Sequence, residues 1–270
     1  MGKVISFVNA KGGVAKTTSA INIAEGFCRM KYKCLLVDFD PQGGATTVTG
    51  FSYDELDGRA TMAEVVMRDN VSIKQIIKKT PNCKFDIAPA NIDLSLAEPF
   101  LYKKLIKDGL VKFSSRLKEK LEPIIPDYDY IFIDNQPNLG CLPINSISAS
   151  DYLVIPVAAE WMSLKGLNNV LKLVNDLVFE HNSDVEVLGI LPTMFDTRNN
   201  VSKGVLDVLV KVCKQNNLSL IKTVIPRSVK VQYASIEQQS ILDHSPESDP
   251  AKAYLHASFL IEKMCKKKGE

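Results

Sequence analysis

The sequence predicts an α/β fold: one domain with a mostly parallel β-sheet and helices on both faces. Three observations carry that prediction. Short apolar runs recur at Val4–Val8, Cys34–Val37, Phe85–Ala88, Tyr130–Ile133, Tyr152–Val157, Val185–Leu191 and Leu220–Val224. Segments of helical period lie between or after them, notably Thr17–Met30, Leu164–Phe179, Gly204–Gln215 and Ala251–Met264. Polar and acidic residues stand where several runs end, which is where open parallel sheets bind ligands. A chain of 270 residues can bury one full core, so a single domain over 1–270 is expected.

Val4–Val8 reads as a buried first strand. A glycine-rich turn follows, and then a helix whose apolar face carries Ile21, Ala24 and Phe27. The second strand, Cys34–Val37, runs into Asp38-Phe39-Asp40-Pro41, and proline cannot continue a central strand. Asp38 and Asp40 are therefore expected just beyond the strand, projecting to one side. Residues 52–82 have the least regular pattern and are expected to form an irregular, mobile surface insert. Tyr130–Ile133 is an apolar strand closing on Asp134. In the last helical segment Tyr254, Leu255, Phe259 and Leu260 are expected to pack on the sheet.

Apolar residues make up 46% of the chain and charged residues 24%, the balance of a folded globular protein rather than a disordered one. No run approaches the roughly 20 apolar residues that span a bilayer. The opening residues lead into the glycine-rich turn instead of a secretory leader, so a cytoplasmic location is expected. Six cysteines without a C-x-x-C pair, and three histidines, give no metal-ligand spacing and suggest free thiols. The net charge of +2 does not by itself imply a nucleic-acid partner. From Arg198 onward, however, basic residues outnumber acidic ones by five, ending in Lys266-Lys267-Lys268. A solvated surface explains that excess as well as a binding patch does.

The chemistry concentrates in Lys11, Gly12, Gly13, Val14, Ala15, Lys16, Thr17 and Thr18. Small residues between a strand and a helix let successive N–H groups converge on phosphate oxygens at the helix N-terminus. Lys16 would reach the β- and γ-phosphates, the Thr17 hydroxyl would ligate Mg²⁺, and Thr18 would add a phosphate contact. The pattern G-x-x-x-x-G-K-[ST] is not satisfied, because Ala10 and Ala15 occupy its glycine positions. Alanine at position 15 is tolerable where φ is negative and costly elsewhere; ordinary ATP binding is expected. Asp134 at the end of an apolar strand could hold Mg²⁺ through water, although any strand can end in an aspartate that caps the next element. Asp38-Phe39-Asp40-Pro41 could likewise be only a turn.

What the loop does match is K-G-G-x-x-K-[ST]-[ST], with the additional Lys11 five residues before Lys16. In this the chain resembles the deviant Walker-A class of P-loop NTPases, which includes the ParA partition ATPases, MinD and the nitrogenase iron protein. The resemblance to the ParA type extends along nearly the whole chain. Its motifs are Asp38-Phe39-Asp40-Pro41-Gln42-Gly43, Pro89-Ala90-Asn91-Ile92-Asp93-Leu94, Pro156-Val157-Ala158-Ala159-Glu160-Trp161, Leu191–Arg198 and Thr223–Lys230. Their order and spacing resemble those of the small type, so no N-terminal helix-turn-helix domain is expected. Where the family continues its Walker-B aspartate with Thr-Pro-Pro or similar, this chain has Asn135-Gln136-Pro137.

The resemblance implies ATP, ADP and Mg²⁺ as ligands and a homodimer formed on ATP binding. Lys11 would cross to the partner's phosphates, Asp40 would position the attacking water, and Asp38 would support Mg²⁺ or its water shell. Met194 and Pro226 would hold the adenine, Glu160 could touch ribose across the dimer, and Arg198 and Lys230 would hold DNA without regard to sequence. A centromere-binding, ParB-like protein would stimulate hydrolysis, and the protein would be associated with the nucleoid. Stable membrane association is not expected. The alternative is a MinD-like positioning ATPase using a C-terminal amphipathic helix. A bridged iron–sulfur cluster would need two cysteines per chain at a dimer axis, and only Cys141 stands near the Walker-B strand.

Overall fold

The computed structural model describes residues 2–181, 184–196 and 198–269. Seven strands form one sheet: β1 Lys3–Phe7, β2 Cys34–Phe39, β3 Lys78–Lys79, β4 Asp86–Ala88, β5 Tyr130–Asn135, β6 Tyr152–Ala158 and β7 Glu186–Thr193. Their order is β3-β4-β2-β5-β1-β6-β7. All neighbours are parallel except β3, which pairs antiparallel with β4 at one edge. The predicted α/β class with a mostly parallel sheet is therefore what is observed.

Both faces of the sheet are covered, so the strands are apolar on both sides. Ile5, Phe7, Leu36, Phe132 and Val154 share one core with the helices Lys16–Arg29 and Asp249–Gly269. Phe27 anchors it edge-on to Tyr130 and Phe132, with ring centroids 4.6 and 5.1 Å away. On the opposite face Val4, Leu35, Val37, Ile131 and Ile133 pack with the helix Met62–Met67 and residues from 94 to 124. Leu153, Ile155 and Val157 join the helices Ser163–His181 and Asn200–Gln215 in a third cluster. This scaffold fixes the carboxyl ends of β1, β2, β5, β6 and β7 along one rim.

Several expectations are corrected. Residues 52–82 are not irregular. They hold the helices Tyr53–Leu56 and Met62–Met67, a 3₁₀ turn at Ile73–Gln75 and β3, and Met62, Ala63, Val65, Val66, Ile73 and Ile76 are buried. Each start in this segment except that of β3 is fixed by a reciprocal cap, Ser52 with Glu55, Thr61 with Glu64 and Ser72 with Gln75. Leu220–Val224 is not a strand; only isolated bridges, Ile190 to Leu220 and Phe195 to Pro226, join that region to β7 and its exit. Asp38 lies inside β2, which continues to Phe39, rather than beyond it. In the last helix Tyr254 is buried, but Leu255 and Phe259 are 42% and 53% exposed; the buried stripe is Ala251, Tyr254, Ala257, Ile261 and Cys265.

Candidate active site

The loop between β1 and the Lys16–Arg29 helix is tied down on two sides. Asn9 Oδ1 accepts from the Lys11 amide at 2.9 Å, while Asn9 Nδ2 donates to the Pro156 carbonyl at 2.8 Å. Thr193 Oγ1 donates to the Val14 carbonyl at 3.0 Å. Gly166 makes this possible, because a Cβ there would lie 2.4 Å from Asn9 Oδ1. Asn9, Thr193 and Gly166 escaped the sequence reading, since none belongs to the loop pattern and two come from elements more than 150 residues away.

Ala15 sits at φ 63°, ψ 38°, in the left-handed region, so the condition for an unstrained loop is not met. Cβ crowding there costs about 1–2 kcal/mol relative to glycine. Met194 is also left-handed, at φ 52°. These two strained residues meet at one place. A cavity of about 160 Å³ is lined by Ala15, Thr18, Met194, Pro226 and Arg227, with Val231, Gln232 and Tyr254. Strain held by surrounding structure is characteristic of ligand-binding positions. Two bonds close this part of the site: Phe195 N to the Ile225 carbonyl and Arg227 N to the Phe195 carbonyl, both 3.0 Å. Met194 and Pro226, distant in sequence, thus line the same cavity beside the loop.

Lys16 is buried, and its Nζ donates to the Lys11 carbonyl at 3.0 Å. Burial holds its ammonium below the usual lysine range, with Asp134 and Asp40 pulling the other way. Thr17 and Thr18 are half-buried at the start of the helix, and Gly12 and Gly13 are exposed. Lys11 Nζ donates to Glu160 Oε2 at 2.9 Å and to Ser163 Oγ at 3.2 Å within its own chain.

The pairing of β2 with β5 sets Asp38 beside Asp134, and both are fully buried. Asp38 accepts from the Thr46 amide at 2.8 Å, the Thr46 hydroxyl at 2.7 Å and the Asp40 amide at 3.2 Å. Burial pushes its carboxyl up to about 6, with the Thr46 bonds opposing. Asp134 meets no hydrogen-bond donor at either oxygen among the described residues. Burial first, and the neighbouring Asp38 charge second, raise its pKa well above the usual carboxylate value, while Thr17 and Lys16 offset part of that. Two buried, unpartnered carboxylate oxygens next to a threonine hydroxyl are a donor set that fits a hard divalent cation such as Mg²⁺. Asp40 is half-buried and accepts from the Gln42 amide at 2.9 Å, caught between the strand end and solvent.

Outside this cluster, Arg198 is 88% exposed and forks onto Asp196 through Nε and Nη2, each at 3.1 Å. Lys230 is exposed in the first turn of the helix Val229–Ile236, which Ser228 caps. Arg227 lies exposed between them in sequence and near enough to Asp196 to lower its pKa. Nothing in the local sequence pattern sets Arg227 apart from the other basic residues of the C-terminal quarter.

The AAA domain family profile matches residues 2–187. The sporulation initiation inhibitor protein Soj of Bacillus subtilis is 38% identical over 94% of this chain and 96% of its own length. The chromosome partitioning protein ParA of Myxococcus xanthus is 32% identical over 94% of this chain and 86% of its own. Among solved structures, a cobyrinic acid a,c-diamide synthase from Mycobacterium smegmatis with bound ADP and magnesium superposes with a TM-score of 0.83, at 29% identity, covering 99% of this chain and 97% of that one. With the loop, the paired aspartates and the rim geometry in place, these similarities establish that the chain belongs to the AAA-domain family of P-loop ATPases that includes the Soj and ParA partitioning proteins.

Proposed function

We propose that this ATPase partitions DNA: an ATP-bound homodimer holds DNA without sequence preference and lets go after hydrolysis, which a centromere-binding protein accelerates. The observation that carries the reading is the convergence of strained Ala15 and Met194 with Pro226 on one cavity, next to buried Lys16 and unpartnered Asp134. A flat purine fills an apolar slot of that kind while the loop amides take the phosphates. Thr17 and Asp134 would hold Mg²⁺, with Asp38 behind them, and the cation would supply charge neutralisation at the phosphates when bound. Lys16 neutralises the same oxygens, and Asp40, at the half-open strand end, orients the attacking water.

Lys11 completes the partner's site by exchanging Glu160 and Ser163 for phosphate, which makes dimerisation and loss of the internal ion pair one event. Arg198, Arg227 and Lys230 contact DNA phosphates, and two protomers double the number of contacts. Association with the nucleoid follows from that binding. A MinD-like membrane role is less well supported. The Asp249–Gly269 helix commits one face to the core, and its exposed Leu255 and Phe259 form a small apolar surface.

The test is DNA binding of the purified protein with ADP, ATP and a slowly hydrolysed ATP analogue. Retention is expected with ATP and the analogue only, to fall steeply as salt rises, to outlast ATP addition in Asp40→Ala, and to weaken in Arg198→Ala and Lys230→Ala. Equal retention with ADP and ATP would defeat the proposal, as would ATP-dependent sedimentation with liposomes in place of DNA.

A further inference from the structure

We infer that Glu98 is a positioning residue for hydrolysis, holding the segment from Gln136 to Cys141 against the phosphate loop without touching nucleotide. Glu98 lies in the first turn of the helix Ala97–Asp108 and reaches across to the segment that follows β5. Its Oε1 accepts from Gln136 Nε2 at 2.6 Å, and its Oε2 accepts from the Cys141 amide at 2.9 Å. A third, longer bond comes from the Leu142 amide to Oε1 at 3.3 Å. One carboxylate therefore grips both ends of a six-residue segment that begins two residues after Asp134.

Three features make this grip specific. The helix Cys141–Ser148 has no side-chain cap of its own, because its cap position is Gly140, so Glu98 supplies from another element the acceptor its first amides need. Gly140 is also the residue that leaves room for the carboxylate: a Cβ there would lie 3.0 and 3.2 Å from the two Glu98 oxygens. Inside the gripped segment Pro137 packs over Gly12 of the phosphate loop, where a Cβ would be 3.6 Å from the proline ring. The position of the segment is thereby coupled to the loop on one side and, through Asn135, to the β1 end on the other, since Asn135 Nδ2 donates to the Phe7 carbonyl at 3.1 Å.

The inference rests on the reading of the Asp134 strand end as the hydrolytic site. A carboxylate that orients a group near the reaction, without contacting it, shows its effect in turnover rather than in substrate affinity. We expect Glu98→Ala to lower kcat by about 10- to 100-fold while the Kd for ATP changes by no more than about twofold. Glu98→Gln keeps an acceptor for the Gln136 amide and should recover part of kcat. Gln136→Ala should lower kcat alone, and its effect should not add to that of Glu98→Ala. Faster hydrogen exchange at the Cys141 and Leu142 amides in Glu98→Ala, at unchanged melting temperature, would report loss of the grip independently of activity.

Unchanged kcat in folded Glu98→Ala would overturn the inference. So would additive losses in the double variant, or losses of kcat and ATP affinity in equal measure. If Glu98→Ala does not fold, Glu98→Gln and Gln136→Ala decide by the same criteria. Absence of ATP hydrolysis in the unaltered protein would instead sink the reading of the site itself, and the positioning role with it.

Discussion

The ends of β2 and β5 carry the same residue at the same depth, in register, and treat it in opposite ways. Asp38 is saturated by Thr46 and the Asp40 amide; Asp134, beside it, meets no donor within hydrogen-bond distance among the described residues. Burial without a partner is expensive for a carboxylate, and a chain keeps such a group only where something outside the polypeptide offsets the cost. The difference separates two jobs. Asp38 holds the turn that carries the helix Gly44–Val48, and Asp134 is left free, as the proposed magnesium role requires.

The comparison can be broken most directly at Asp134. Asp134→Ala should reduce magnesium-dependent ATP turnover by about a hundredfold or more while leaving the metal-free fold as stable as before or more so, because an isolated buried charge has gone. A melting temperature that fell with activity would erase the distinction. Asp38→Ala should do the reverse in kind, lowering stability by about 2–4 kcal/mol through the unsatisfied Thr46 amide and hydroxyl, as read from denaturant unfolding of the metal-free protein.

Acidity sharpens the contrast. Both carboxyls are raised in the folded chain, Asp38 to about 6, so the folded state binds protons that the unfolded chain does not between that value and the ordinary carboxylate range. Their contribution to metal-free stability is therefore fully present at low pH and falls as pH rises above the ordinary carboxylate range, that of Asp38 being lost through about 6. The advantage of Asp134→Ala over the unaltered chain should accordingly shrink when the pH is lowered from 7 to 5, and a gap that widened would contradict the assignment. The smallest effect is expected at Ala15. Glycine there should relieve the left-handed backbone and raise the melting temperature by about 1–4 °C, with ATP affinity improved less than tenfold. A gain above tenfold would mean that the alanine impairs the loop.

The sequence made the loop and the strand ends legible because their chemistry is local. Lys11 to Thr18 and Tyr130 to Asp134 are contiguous, and six of the seven apolar runs became strands. The seventh, Leu220–Val224, had the right residues but meets the edge strand β7 only at the Ile190–Leu220 bridge, and the Thr223 amide turns back to the Ile221 carbonyl instead of continuing a ladder. Residues 52–82 carry three capping pairs, S-x-x-E, T-x-x-E and S-x-x-Q, but the elements they start are only three to six residues long, too short to show a helical period. Other features were not written locally. Thr46 is named as the partner of Asp38, and Glu98 as that of Gln136, only by tertiary packing, and the sign of φ at Ala15 depends on what the loop must wrap around. Apolar periodicity also placed Leu255 and Phe259 on the sheet, although a helix running along a core shows it only one stripe.

The strand order has a consequence for how the chain is made. β1, the first strand synthesised, lies in the centre of the sheet between β5 and β6, so Val4 and Ile5 pair with Ile131 and Tyr152. At ribosomal speeds of about 5–20 residues per second, the first strand waits roughly 6–25 s for its earliest neighbour to emerge. During that interval it cannot satisfy its backbone in the sheet, and closing so long a loop makes the pairing slow even once both strands exist. The phosphate loop that follows β1 thus acquires its shape late, after most of the molecule has been translated.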